Sequence, residues 1–160
     1  MEEYISERTN ITKKKFEILI VDDDTDIAKY LKDILILRGH TVTIVDEGPR
    51  CITHCNFIDK KYDIVFMDYH MDHMDGGEVS DIIRDKNHSI LIFAFTGDNS
   101  KSALSVFKNT GMNGAIIKPV DIYALNTLMD LLENNPAQCY IQKLSKYKNS
   151  SIIIFANQHR

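Results

Sequence analysis

Five polar residues that could act together each stand at the end of a short apolar run. Asp22 and Asp23 follow FEILIV, Asp68 follows YDIVFM, Thr96 follows SILIFAF, and Lys118 follows GAII. Three carboxylates brought together repel one another unless a cation lies among them. Hard oxygen ligands that leave room for water suit Mg²⁺. These residue types therefore indicate a magnesium site, provided that the fold brings their segments to one place.

The elements that must position these residues alternate along the chain. Apolar runs rich in Ile, Val and Phe predict strands, and the segments between them have helical spacing of apolar residues. Asp24 and Asp121 stand where N-caps of the first and last helix would lie, which is the ordinary alternative role for such an Asp. The predicted strands are 16–21, 40–45, 62–67, 89–95 and 114–117, and the predicted helices are 27–38, 47–59, 77–86, 100–109 and 121–133.

This alternation predicts an α/β fold with a doubly wound, mainly parallel sheet of five strands. Strands separated by helices are joined by crossovers, so helices cover both faces of the sheet. In such sheets the ligands collect at the carboxyl ends of the strands. The five polar residues are therefore expected to meet at one edge.

Composition favours one globular, cytoplasmic domain whose cysteines are reduced thiols. The chain has 160 residues, of which 44% are hydrophobic, and only three are cysteines. No apolar run approaches the ~20 residues needed to span a bilayer, and the N-terminus MEEYISERTN is too acidic for a signal peptide. Membrane association is not expected.

The charge is distributed unevenly along the chain. All 23 acidic residues and all but four of the 19 Lys and Arg residues lie at or before Glu133, so an acidic body precedes a basic tail. An acidic body disfavours nucleic acid as the main partner, and four positive charges in the tail are too few to argue for it.

The sequence resembles the response-regulator receiver domain of two-component phosphorelay signalling. The resemblance covers residues 16–134, and its motifs are VDDD at 21–24, MDYHMDHMDGGEV at 67–79, TG at 96–97 and KP at 118–119. It implies a flavodoxin-like sheet with strand order 2-1-3-4-5. It also implies a cytoplasmic phosphoprotein that signals through protein contacts.

The resemblance also assigns roles to the polar residues. Asp68 would accept a phosphoryl group from a phosphohistidine on a histidine kinase or a histidine phosphotransfer protein. Thr96 would give its hydroxyl to one phosphoryl oxygen, and Lys118 would pair with another. The peptide bond between Lys118 and Pro119 would be cis. Such a transfer needs positive charge over the equatorial oxygens of the phosphoryl group. The protein would thus catalyse its own phosphorylation and dephosphorylation while acting mainly as a signalling phosphoacceptor.

The same resemblance gives the ligands of the expected metal, which is Mg²⁺. Asp23 and Asp68 would bind it directly together with the backbone carbonyl of His70. Asp22 would act through a bound water.

Several positions depart from the usual receiver pattern. Asp72 stands four residues after Asp68, where the family usually has Pro, and Ala115 stands three residues before Lys118, where Tyr or Phe usually swings inward behind the Thr. His70 and Asp98 stand two residues past Asp68 and Thr96, where the family tunes the lifetime of the phosphoryl group. An aromatic switch is therefore not expected, and the lifetime does not follow from the sequence.

Two other functions fit part of the pattern. DDDTD is close to the Asp-x-Asp start of haloacid-dehalogenase-like phosphatases, but Asp26 stands where their motif wants Thr or Val, and no acidic pair follows Lys118 to complete their metal site. Alternatively, the altered loop and the missing aromatic would suit a receiver-like interaction module whose binding ignores phosphate. A metal site at Cys51, His54 and Cys55 lacks the second half of a tetrahedral set.

The domain boundaries follow from these patterns. Residues 1–15 are expected to form a flexible N-terminal segment, 16–134 the receiver domain, and 135–160 a basic C-terminal extension. In the extension an apolar stripe at helical spacing precedes SSIIIFA, which predicts a strand. The extension either packs on its own domain or docks a partner or a second copy, as in a homodimer. The stripe consists of Ala137, Tyr140, Ile141, Leu144 and Tyr147.

Overall fold

The computed structural model describes residues 13–57, 61–86, 89–135 and 151–155. These residues form a sheet with helices on both faces. The strands are β1 (Glu17–Val21), β2 (Thr41–Val45), β3 (Ile64–Asp68), β4 (Leu91–Thr96), β5 (Gly114–Ile117) and β6 (Ile152–Ile154). The helices are α1 (Thr25–Leu37), α2 (Gly48–Asn56), α3 (Gly76–Lys86), α4 (Lys101–Asn109) and α5 (Ile122–Glu133).

The strand order is β2-β1-β3-β4-β5-β6. The first five strands are parallel to their neighbours, which confirms the predicted doubly wound sheet and its order 2-1-3-4-5. β6 is added outside β5 and runs antiparallel to it. The sheet therefore has six strands, one more than the predicted parallel core, and the sixth comes from the strand predicted in the C-terminal extension.

Capping side chains and a glycine set where several helices begin and end. Asp24 caps α1 by accepting bonds from the backbone N–H groups of Asp26 and Ile27, at 3.1 and 3.2 Å. Asp121 caps α5 in the same way, and Ser100 caps α4, with a bond of 3.2 Å from Ala103 N. Gly39, just past α1, adopts a φ of +92°, which L side chains rarely reach. The predicted N-caps at Asp24 and Asp121 are thus confirmed.

The core lies in two layers, one on each face of the sheet. Alternate residues of a strand point to opposite faces, so Ile18 and Ile20 pack with α1 and α5, while Leu19 and Val21 pack on the side of α2, α3 and α4. All residues of β3 and β4 are buried, as expected for central strands of a parallel sheet.

A buried polar cluster fastens α1 to α5 at the amino edge of the sheet. Arg38 donates from Nε to Glu133 Oε1 at 2.7 Å and also contacts Asp130, while His40 Nε2 lies 2.8 Å from Glu133 Oε1. His40 Nδ1 accepts the backbone N–H of Phe16 at 3.1 Å, so the neutral ring must carry its proton on Nε2. The cluster joins residues that are more than 90 positions apart in the chain.

Parts of the predicted organisation lie outside the described residues. Positions 1–12 of the expected flexible segment and all five residues of the apolar stripe belong to these parts. Within the described ranges, no helix combines the length and apolar character that crossing a membrane requires.

Candidate functional site

The carboxyl edge of the sheet brings together the side chains that the sequence placed there. Asp22 and Asp23 follow the last residue of β1, Asp68 ends β3, Thr96 ends β4, and Lys118 follows β5. Each of these residues reaches the edge because the strand before it ends where the apolar run ends. The five predicted residues thus project from four neighbouring strands of one sheet.

Three of these residues form a compact group of carboxylates. One oxygen from each of Asp22, Asp23 and Asp68 lies within 4.8 Å of the others, and among the described residues this is the group of acids, His and Cys that could hold a metal ion. Asp22 and Asp68 are buried, whereas Asp23 is exposed. The group is therefore half enclosed, with one carboxylate open to solvent.

Lys118 is the counter-ion of the two buried carboxylates. Its Nζ lies 3.3 Å from Asp68 Oδ1 and 3.5 Å from Asp22 Oδ2. Burial raises the pKa of Asp68 and of Asp22 above their ordinary values, and the charge of Lys118 opposes that rise in both cases. Asp22 Oδ1 also accepts the backbone N–H of Asp24 at 2.9 Å, which orients its carboxylate. The Lys118–Pro119 bond is cis, as the resemblance implied.

Thr96 is held at the end of β4 by backbone bonds on two sides. Its Oγ1 accepts the N–H of Asp98 at 3.0 Å, and its carbonyl oxygen accepts the N–H of Lys118 at 2.8 Å. The hydroxyl therefore contacts the loop that follows β4, and the backbone of Thr96 is bonded to that of Lys118. Asp98 is exposed, and its carboxylate accepts the N–H of Ser100 at 2.9 Å.

The loop between β3 and α3 depends on a glycine to which sequence reasoning assigned no role. A Cβ on Gly76 would lie 3.1 Å from Asp68 O and 3.1 Å from Tyr69 Cα, and Gly76 N donates to Tyr69 O at 3.0 Å. Gly76 therefore lets the start of α3 pack directly against the backbone of Asp68. In the sequence, the adjacent glycines Gly76 and Gly77 of MDYHMDHMDGGEV are the feature that could have indicated this close approach. His70 and Asp72 are exposed in the same loop.

The alternative metal site on α2 is not formed by the described residues. His54 Nδ1 lies 3.0 Å from the Tyr62 hydroxyl, and Cys51 is fully buried in the core. The hydrogen bond with Cys55 and, after it, burial raise the pKa of the Cys51 thiol, which disfavours the thiolate that a metal needs. These residues are part of the packed face of α2 rather than of a metal site.

Acidic oxygens, partial solvent access and a lysine counter-ion suit a divalent cation of the hard type. Mg²⁺ takes one or two carboxylates and keeps several waters. The exposed Asp23 and the open side of the group leave room for such waters. The residues present therefore fit a magnesium ion beside Asp68.

Comparison with known proteins gives the family of this site. The family described as "Response regulator receiver domain" matches residues 18–130. The "Transcription factor SKN7" of Candida albicans is 32% identical over 145 residues, which are 86% of this chain and 26% of that protein. The "CAI-1 autoinducer sensor kinase/phosphatase CqsS" of Vibrio cholerae is 34% identical over 107 residues, which are 65% of this chain and 15% of that protein. The chain thus spans about a quarter or less of the length of these relatives.

Among solved structures, the fold matches a receiver domain in complex. The co-crystal structure of the Saccharomyces cerevisiae histidine phosphotransfer signalling protein Ypd1 and the receiver domain of Ssk1 aligns with a TM-score of 0.68. The identity is 22%, and the alignment covers 76% of this chain and 90% of the matched chain. This likeness supports the architecture described above.

Proposed function

Because this chain belongs to the response regulator receiver domain family, we propose that Asp68 is its phosphoacceptor and that Thr96 and Lys118 complete the transfer site. The observation that supports this most directly is the position of the Lys118 ammonium, 3.3 Å from Asp68 Oδ1. A cation there can pair with an oxygen of a phosphoryl group that is carried by Asp68. It also offsets the charge of Asp22, which would otherwise repel the incoming phosphoryl group.

The proposed step is an in-line displacement at phosphorus. An oxygen of the Asp68 carboxylate forms the new P–O bond while the P–N bond to the histidine of the donor breaks. The electron pair of that bond returns to the imidazole nitrogen. The products are an aspartyl phosphate and a histidine side chain. Lys118 and the Thr96 hydroxyl lie at the same sheet edge, where they can contact two of the equatorial oxygens.

Mg²⁺ would be held by Asp23 and Asp68 with the backbone carbonyl of His70, and by Asp22 through water, and when bound it supplies positive charge beside the transferring group. Asp22 has the added task of holding Lys118 in place. A titration with Mg²⁺ should therefore show binding to the wild type and not to Asp23→Asn. Asp24→Asn is the matched control, because Asn caps helices as well as Asp does and Asp24 is the N-cap of α1. Equal affinity in wild type and Asp23→Asn would refute these ligands.

The donor is proposed to be a histidine phosphotransfer protein or a histidine kinase, and the cytoplasm is the proposed compartment. The similar Saccharomyces cerevisiae structure is a complex of such a phosphotransfer protein, Ypd1, with the receiver domain of Ssk1. The output is proposed to be a protein contact, including contact with a second copy, rather than nucleic-acid binding. The receiver unit is proposed to span residues 16–134, with 135–160 as an extension of it.

The test is phosphorylation by a small donor followed by intact mass. Acetyl phosphate and Mg²⁺ should add one phosphoryl group that hydroxylamine removes, as expected for an acyl phosphate. Asp68→Asn should abolish the addition, whereas Asp72→Asn, which changes an exposed carboxylate in the following loop, should not. Phosphate found on Asp22 would support the phosphatase alternative. Absence of any addition would support the interaction module that ignores phosphate.

A further inference from the structure

The C-terminal residues 151–155, which we name the C-terminal strap, complete the sheet beside β5. The strap is bonded to β5 at both ends: Ile117 N donates to Ser151 O at 2.8 Å, and Phe155 N donates to Asn113 O at 2.9 Å. Between these bonds, Ala115 lies opposite Ile153 in the antiparallel register. The strap therefore covers the edge of β5 along its whole length.

β5 is shaped to receive the strap. A Cβ on Gly114 would lie 2.4 Å from the carbonyl oxygen of Ile153, so only glycine lets the strap approach so closely. Ile152 is 1% exposed and packs in the layer of α1 and α5, whereas Phe155 is 8% exposed and packs in the opposite layer with Ala115 and Phe107. The strap thus anchors side chains in both layers of the core, with Ile152 and Phe155 the buried ones.

The strap and the phosphoacceptor site meet at neighbouring peptide groups of β5. The N–H of Ile117 bonds to Ser151 of the strap, and the N–H of Lys118, the next residue, bonds to Thr96. Thr96 is also the register partner of Ile117. A displacement of the Lys118 backbone therefore acts on the strap through a single peptide unit.

We propose that the C-terminal strap is the element that reports phosphorylation: it is docked on β5 while Asp68 is unmodified and is released when Asp68 carries a phosphoryl group. This inference rests on the proposed phosphoacceptor role of Asp68. The phosphoryl oxygens lie farther from the sheet than the carboxylate that carries them. In this proposal Lys118 follows a phosphoryl oxygen, gives up its 3.5 Å contact with Asp22 and displaces the end of β5.

The strap is the part of the sheet that such a movement can detach. Its strand has three residues, and short elements with few hydrogen bonds open at a lower free-energy cost than core strands. Ala115 carries only a methyl group, so no bulky side chain of β5 itself can relay the change at this position. Ile153 lies directly opposite it and belongs to the strap.

Hydrogen exchange with a phosphate mimic tests the proposal in the full chain. Beryllofluoride with Mg²⁺ is added, and ¹⁹F NMR checks that fluoride is bound in the wild type and not in Asp68→Asn. The exchange rates of the Ile117 and Phe155 amides should rise at least about tenfold with the mimic bound, while that of Ile20 in the central β1 stays constant. Unchanged or slower exchange at Ile117 and Phe155 would overturn the release. A missing bound-fluoride signal would overturn the phosphoacceptor role, and with it this inference.

Linkage gives a second, reciprocal test. If the mimic weakens docking of the strap by a given factor, then a protein whose strap is fully undocked must bind the mimic more tightly by that same factor. Phe155→Ala should therefore bind beryllofluoride severalfold more tightly than the wild type. Ile153→Ala removes a partly buried side chain of the strap and should also tighten binding of beryllofluoride. It replaces Phe155→Ala in the test if that variant folds poorly. The matched control is Phe57→Ala, whose side chain on α2 is 69% exposed and whose change should leave the affinity as it is. Equal or weaker binding in both strap variants would overturn the proposal.

Discussion

The Lys118 ammonium lies 3.3 Å from Asp68 Oδ1, within the same cluster of charges that is suited to a divalent cation. Lysine and metal therefore compete for the same carboxylates. Lys118→Met should raise the Mg²⁺ affinity about tenfold, because one repelling charge is removed from a half-buried site. The same variant should slow phosphorylation of Asp68 by about 100-fold, because one partner of the phosphoryl oxygens is lost.

Lys118→Arg is the control for charge, since it keeps the positive group and changes its shape. Its Mg²⁺ affinity should stay close to that of the wild type. Calorimetric titration measures the affinity, and the rate of acetyl phosphate labelling measures the transfer. A Lys118→Met variant that binds Mg²⁺ no better than the wild type would argue against a shared set of carboxylates.

Arg38→Met is expected to destabilise the fold by about 3 kcal/mol. The Glu133 side chain is 2% exposed and Arg38 is its charged partner, so the substitution leaves a buried carboxylate with only the hydrogen bond from His40. Urea unfolding at pH 7 measures the loss. Arg50→Met is the matched control, because Arg50 is 64% exposed and its ion pairs with Asp46 and Glu47 are 3.4 and 3.5 Å long. Exposed pairs of this kind contribute about 0–1 kcal/mol. Equal losses in both variants would contradict the prediction.

The stability of the fold should fall as the pH drops below 6.5, through His40. Burial lowers the pKa of His40 from its ordinary 6.5, while Glu133 opposes the shift and the charges of Lys15 and Arg38 add to it. The unfolded chain therefore takes up this proton first. The stabilising contribution is complete above pH 6.5 and is lost as the pH falls, by at most about 1.4 kcal/mol per pH unit.

His40→Gln should remove that part of the pH dependence. Gln can still donate to Glu133, but it does not titrate and lacks the Nδ1 that accepts from Phe16. The variant should be less stable at pH 7, by about 1 kcal/mol, and should show a shallower decline between pH 7 and 5.5 in urea unfolding. Glu133 affects the stability only at lower pH. Burial raises the pKa of Glu133, but the hydrogen bonds from Arg38 and His40 outweigh burial and bring the pKa below its ordinary value of 4.5. The stability that Glu133 contributes is therefore lost only as the pH falls below 4.5. If the stability of the wild type and of His40→Gln declined in parallel between pH 7 and 5.5, His40 would not be the titrating group.

A phosphate mimic should shift the loops around the site more than α4. A phosphoryl group adds about −1.5 to −2 charges and three acceptor oxygens beside Thr96 and Lys118, so loops 96–100 and 118–120 are expected to tighten. Because Ala115 cannot act as an aromatic switch, α4 should be less altered than in a receiver with Tyr or Phe at that position. Backbone amide NMR shifts with and without beryllofluoride measure this. Shifts as large along 101–109 as in the loops would mean that another side chain, such as Phe93, Phe95 or Phe155 of the C-terminal strap, couples the site to α4.

The parallel sheet and the positions of the site residues were predictable because both depend on local pattern. Each apolar run ends at the residue that reaches the sheet edge, as Asp68 and Thr96 show by closing β3 and β4. The strand boundaries moved by up to two residues, and the end of α2 moved by three, from the predicted 59 to Asn56. The predicted strand at 62–67 begins instead at Ile64, and Tyr62 is buried in the layer of α2 and α3 ahead of the strand.

The contacts that depend on distant parts of the chain were not predictable. SSIIIFA indicates a strand, but its pairing with β5 depends on which edge is free and on the space beside Gly114. The bond from His40 to Glu133 joins residues 93 positions apart, and nothing in either local sequence marks the other. The place of Lys118 between Asp22 and Asp68 follows from the sheet order rather than from the residues near Lys118.

The addition of β6 also changes where the sheet is open. β5 is paired on both sides, so among the described strands the two open edges belong to β2 and β6. An open edge offers unpaired backbone groups to strands of other molecules and thereby promotes aggregation, and a short edge strand offers fewer of them. At three residues, β6 is a smaller template for such association than the four residues of β5 would be. The C-terminal strap thus makes strand addition at that side of the apolar sheet less favourable.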